Sequence, residues 1–231
     1  GTLVAMEISR SFGAIFFPIF SKLQNDAKFL RRSFVKLTRI IFAAVIPASV
    51  GIYLLAPEIV TIIYSSKWLP MAAIVQVVLI LGLFKAFEVI ASPLFLGIGK
   101  PKVLTGSLIA QAILMFALIV PFTNMWGPSG TAWAVIAGTA LANLILIFFL
   151  RRTINLGIKG FFEIFSVPIV GSVIMAVVVL AVKQYLAINS LPSLLVISLV
   201  GATVYAASLF FVDLVTKRHY RDDFSWIRSK L

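Results

Sequence analysis

Two pairs of opposite charge stand inside apolar sequence. Glu7 and Arg10 fall in the run Gly1–Phe20, and Lys85 and Glu88 fall in Met71–Gly99. Each pair is spaced by three, which puts both members on one helical face. Ser92 continues the face of the second pair by one more turn. A charge at the centre of a membrane helix costs about 2.5–3.5 kcal/mol on insertion scales, so each needs a partner or a wet cavity. Two readings stay open for each pair. It is a self-neutralising contact that fixes packing, or it lines a polar pathway, with Arg10, Lys85, Glu7, Glu88 and Ser92 as the candidate residues.

Other site chemistry is sparse. The chain has one histidine, His219, and no cysteine. A transition-metal site is therefore not expected, and no cofactor is implied. There is no Ser/His/Asp set, no H-E-x-x-H and no acid cluster in an outer loop, so the expectation is a non-enzyme. "GIGKPK", Gly97 to Lys102, lacks the G-x-x-x-x-G-K-[ST] spacing of a phosphate-binding loop and follows a membrane span instead of a strand. It reads as a turn between helices. Gln111 and Asn143, polar inside spans, read as interhelical hydrogen-bonding residues.

The elements that must position these residues are membrane helices. The 231 residues are 61% hydrophobic and 12% charged, with a mean hydropathy of +1.09. A soluble core cannot absorb that much apolar surface, but a bilayer can. The net charge of +12 does not point to nucleic acid, because the basic residues lie between apolar spans. Six runs are long enough to cross: Leu37–Ala56, Met71–Gly99, Val103–Phe122, Ser129–Leu150, Ile164–Val182 and Leu191–Val212. Gly1–Phe20 reads as the remainder of a seventh span. The opening Gly-Thr-Leu, without an initiator Met, reads as the start of a fragment. The fold class is all-α, a polytopic transmembrane helical bundle.

Charge gives the orientation. Sixteen of the 20 basic residues fall on one side of the alternating loops. Lys67 and Lys183 fall on the other, and Arg10 and Lys85 lie within spans. By the positive-inside rule the rich side, including the C-terminus, is cytoplasmic. Tyr64, Trp68 and Trp126 mark the outer interface. Ile59, Ile62 and Ile63 share helical spacing, which predicts a segment lying flat on the outer surface. In the fourth complete span Gly130, Ala134, Gly138 and Ala142 form a small-residue stripe for close helix packing, and Ser198, Ala202 and Ala206 predict the same in the last. Pro47 and Pro93 predict kinks.

"FFPIFSKLQNDAKFLRRSFVKLTR", Phe16 to Arg39, resembles the Wzx-type flippases, the polysaccharide-transport branch of the multidrug/oligosaccharidyl-lipid/polysaccharide exporter superfamily. "IIYSSKWLPMAAIVQVVLILGL", "LFLGIGKPKV" and "GPSGTAWAVIAGT" are similar to later landmarks of that family, in its order. The resemblance implies a bundle of two pseudo-symmetric six-helix halves followed by two extra helices. Residues 1–150 would be the C-terminal half, its first span incomplete or missing, and 151–231 two accessory helices with a cytoplasmic tail. The N-terminal half would be a missing partner within the same protein. It implies flipping of undecaprenyl-pyrophosphate-linked oligosaccharide across the bacterial cytoplasmic (inner) membrane for surface polysaccharide such as the O-antigen of lipopolysaccharide. Membrane lipids, and possible polysaccharide assembly proteins, are the other implied partners. A drug/cation antiporter of the same superfamily, with Glu7 or Glu88 as coupling carboxylate, is the alternative. A membrane polymerase or ligase ranks lower, since the outer loops are short.

Overall fold

In the computed structural model, residues 16–22, 24, 26–186 and 188–216 are described. Glu7 and Arg10 lie outside the described residues. Among the described residues seven α-helices run in order, with no strand: α1 (residues 16–22), α2 (Ala27–Tyr64), α3 (Met71–Gly97), α4 (Pro101–Trp126), α5 (Pro128–Ile154), α6 (Ile158–Tyr185) and α7 (Leu191–Thr216). The protein is an all-α, multi-span membrane protein. Six of these helices are long and apolar enough to cross a bilayer; five of the six runs found in the sequence lie wholly within them, and Met71–Gly99 overruns α3 by two residues.

The helix boundaries have local causes. Asp26 caps α2: its Oδ1 accepts the backbone N–H of Lys28 and of Phe29, each at 3.0 Å. The basic segment Lys28–Arg39 is therefore helical too, and α2 reaches 38 residues. Pro57–Tyr64 continues α2 instead of forming the separate flat segment that the isoleucine spacing predicted; a single-turn 3₁₀ helix, Ser66–Trp68, follows. At the end of α3, Lys100 N–H bonds to Phe95 O at 2.8 Å and Gly99 N–H to Leu96 O at 3.1 Å. This double closure needs a left-handed residue, which Gly99 supplies with φ 70°. Pro101 then opens α4 with its φ already set for a helix. The Gly97–Lys102 stretch is thus a helix–helix turn.

The chain divides into two compact units, residues 1–38 with 81–163, and 39–80 with 164–231. In the first unit α4 and α5 form a tight antiparallel hairpin around Gly127. Gly130, Ala134, Gly138 and Ala142 are all buried. A Cβ on Gly130 would lie 1.8 Å from Phe122 O, and one on Gly138 would lie 2.8 Å from Gln111 O. The stripe therefore does what the sequence predicted: it lets backbones touch. Phe34 and Phe87 meet edge to face at 6.1 Å, beside buried Ile90, Leu94 and Phe95. Among α4's own residues only Ser107 is buried. Its exposed Ile113, Phe116 and Val120 make a face that lipid can cover.

The second unit packs Leu55, Met175, Val179, Leu194, Ile197 and Tyr205 into one cluster. Here the predicted stripe on α7 is off by one face. Ser198, Ala202 and Ala206 are exposed, whereas Leu194, Ile197, Gly201, Tyr205 and Ser208 are buried. Gly201 is the small residue that matters, since a Cβ there would come 3.2 Å from Val179. Pro47, Pro57 and Pro93 all lie inside continuous helices.

Candidate substrate-pathway site

In α3, Ala86, Phe87, Ile90, Ala91, Leu94 and Phe95 are buried. Helical geometry then leaves Lys85, Glu88 and Ser92 at the edge of that packing face, as their spacing predicts. Lys85 lies 14 residues from one end of the 27-residue helix and 12 from the other, about 20 Å either way at 1.5 Å per residue. That is too deep for its ammonium to reach either interface.

The structure brings Lys85 and Glu88 into contact. Lys85 Nζ lies 2.7 Å from Glu88 Oε2. The Lys85 side chain is 47% exposed and that of Glu88 17%. The carboxylate's other oxygen accepts a hydrogen bond from Asn143 Nδ2 on α5, at 3.1 Å. Asn143 is 3% exposed, and the same amide donates to Thr139 O at 2.9 Å. Gln111 Nε2 on α4 donates to Thr139 Oγ1 at 3.2 Å. A polar seam therefore runs from Lys85 through Glu88, Asn143 and Thr139 to Gln111, across three helices. Asn143 and Gln111 each act as the interhelical residue their sequence context predicted. Ser92 is half-buried one turn beyond Glu88.

The seam is uneven in charge and in saturation. Glu88 has two donors and little exposure. Lys85 spends one of three N–H donors on Glu88, and the rest of its ammonium is open. Asn143 Oδ1 and Gln111 Oε1 are buried acceptors without a protein donor among the described residues. An open cation at mid-span suits a ligand with anionic oxygen; the two acceptors are enclosed by protein. Among the described residues no cluster of His, Cys, Asp or Glu could hold a metal ion.

Sequence reasoning missed a second pair. In the second unit Lys183 Nζ on α6 lies 2.7 Å from Glu58 Oε1 on α2, and it donates to Leu54 O at 2.8 Å. Both belong to helices, near the ends that join the charge-poor loops. The available signal was scarcity. Glu58 is the one acid and Lys183 one of two bases near those loops, but 125 positions apart in sequence they give no register.

Residues 2–73 match the family described as polysaccharide biosynthesis protein. Over 209 residues the chain is 28% identical to an uncharacterised membrane protein in the cps region of Klebsiella pneumoniae, covering 88% of this chain and 42% of that one. It is 20% identical over 186 residues to the teichuronic acid biosynthesis protein TuaB of Bacillus subtilis strain 168, covering 79% and 38%. It is 27% identical over 81 residues to the lipopolysaccharide biosynthesis protein WzxC of Escherichia coli K12, covering 35% and 16%. The chain thus spans about two fifths of the length of the first two relatives. These matches agree with the resemblance carried by Phe16–Arg39 and the later landmarks: the chain is a multi-span membrane protein related to the polysaccharide-biosynthesis proteins.

Proposed function

We propose that the complete protein is a transporter, not an enzyme, which moves an undecaprenyl-pyrophosphate-linked oligosaccharide from the cytoplasmic to the periplasmic leaflet of the bacterial inner membrane. The observation that carries this reading is Lys85: a half-open ammonium held mid-span by a carboxylate that is itself fixed from a second helix. A pyrophosphate-linked sugar cannot cross hydrocarbon unaided, and it needs a cation at depth. Lys85 supplies the cation. Glu88 neutralises Lys85 when the site is empty, so neither charge is stranded through the cycle. Arg10, with Glu7 beside it, is the second phosphate-handling candidate from its spacing. Residues 1–150 serve as one half of the transporter and 151–231 as accessory helices and tail, with the C-terminus cytoplasmic. The names of the relatives support cargo of this class over drug efflux.

The test is genetic and chemical. Cells lacking the protein should lose the surface polysaccharide and accumulate the lipid-linked unit on the cytoplasmic face. The complete wild-type protein should restore display, and Lys85→Gln at equal membrane abundance should not. Normal polysaccharide display in cells lacking the protein, with no accumulated precursor, would overturn the reading.

A further inference from the structure

Proline in a helix removes one N–H and frees the carbonyl four residues earlier. Within lipid that carbonyl cannot turn to water, so it needs another donor. Pro47 frees Ala43 O, and Tyr205 on α7 donates its hydroxyl to that oxygen at 2.7 Å. Pro57 frees Tyr53 O, and Gln76 on α3 donates its amide to that oxygen at 3.0 Å. Lys183 on α6 donates to the adjacent Leu54 O at 2.8 Å while paired with Glu58. Three carbonyls of one helix stretch are thus capped by side chains from three other helices, all within the second unit. Two of the three are the carbonyls that the i−4 rule says must be free. The Tyr205 ring also packs against Gly171, where a Cβ would come 3.0 Å from it. That leaves its hydroxyl aimed without steric slack.

From this pattern we infer that Ala43–Thr61 of α2 is a latched hinge. The two prolines make α2 bendable at two points, and Tyr205, Gln76 and Lys183 hold it in one setting by capping the freed carbonyls. Releasing a cap costs an interhelical hydrogen bond and lets the helix bend. The hinge is a property of this unit and does not depend on what the protein carries.

The experiment reads the helix directly. Spin labels on cysteines at Ala44 and Tyr64, both exposed, are separated by 20 residues, about 30 Å along a straight helix. These 231 residues contain no cysteine, and any cysteine in the rest of the protein is replaced by serine. Distances are measured on the complete protein in lipid nanodiscs. Tyr205→Phe combined with Gln76→Leu should broaden the distribution toward shorter distances. Pro47→Ala combined with Pro57→Ala restores both backbone bonds and should narrow it to a single population near the straight-helix length. The discriminating measurement is Tyr205→Phe in the Pro47→Ala background. Ala43 O then has its helix partner back, so loss of the hydroxyl should leave the distribution unchanged. Equal broadening in both backgrounds would mean that Tyr205 acts through packing, and would overturn the inference. A distribution unmoved by any of these substitutions would overturn it too. Because no variant is read through transport, this outcome is independent of the cargo proposed above.

Discussion

Removing Lys85 and removing Glu88 should not cost the same. Lys85→Met leaves Glu88 charged at mid-span with Asn143 as its remaining donor. Breaking a fully buried pair costs about 3–5 kcal/mol and an exposed one about 0–1 kcal/mol. With Glu88 mostly buried and Lys85 half open, the expected loss is about 2–3 kcal/mol, roughly 30- to 150-fold in the folded-to-unfolded ratio. Glu88→Leu leaves a cation that is already half exposed, and Asn143 keeps its bond to Thr139 O; about 1 kcal/mol is expected. The double variant removes both desolvation costs and should return to within about 1 kcal/mol of the wild type. Thermal midpoints of the purified complete protein in nanodiscs should follow that order: wild type and double variant together, Glu88→Leu below, Lys85→Met lowest. Transport separates packing from function. If Lys85 handles the cargo, the double variant folds and reaches the membrane but does not move it. A well-expressed double variant with normal transport would reduce the pair to packing. A double variant less stable than Lys85→Met would refute the energetic reasoning itself.

Glycines should divide sharply by their surroundings. Gly130→Ala places a methyl 1.8 Å from Phe122 O and should strip folded protein from the membrane, whereas Gly106→Ala, with nothing within 4 Å, should be neutral or stabilising by up to about 1 kcal/mol, as helix propensity favours Ala; membrane abundance of the two variants checks this, and equal abundance would refute the close-contact account. For orientation, Ser66→Cys in the 3₁₀ turn should react with an impermeant thiol reagent added outside intact cells, and Lys102→Cys at the start of α4 should not. Both side chains are exposed, so the reverse pattern would invert the topology.

The spans were legible because hydropathy alone locates them, and the small stripe of α5 was legible because four residues repeat at one helical period. The limits have physical causes. Charge does not break a helix, so the basic stretch before Leu37 gave no sign that α2 begins at Ala27, where Asp26 caps it. Pro57 read as a loop residue, but a proline costs a helix only one donor and one freed carbonyl, and Gln76 answers the latter. On α7 small residues occupy more than one face, and the choice of Gly201 over Ser198 and Ala202 is made by Val179 on α6. Asn143 could be read as a residue in need of an interhelical partner; that the partner is Glu88 depends on the register of α5 against α3.

These cases share one rule. In a bilayer the sequence states which polar groups call for partners: the carbonyls four residues before Pro47 and Pro57, the amides of Gln76, Gln111 and Asn143, and the charges of Lys85, Glu88, Glu58 and Lys183. Packing decides the pairings, and it does so differently in the two units. In the second unit the three donors go to backbone carbonyls of α2, where they bear on how that helix bends. In the first unit the donors go to a side-chain carboxylate, a hydroxyl and one carbonyl of α5 itself, and two amide acceptors and most of an ammonium are left over. Saturated donors on a proline-interrupted helix suit a moving part. A half-open ammonium at mid-span suits a place where something else binds. The bending proposed for α2 and the binding proposed at Lys85 are therefore separable, and variants of Tyr205 should alter the first while leaving the second's charge network intact.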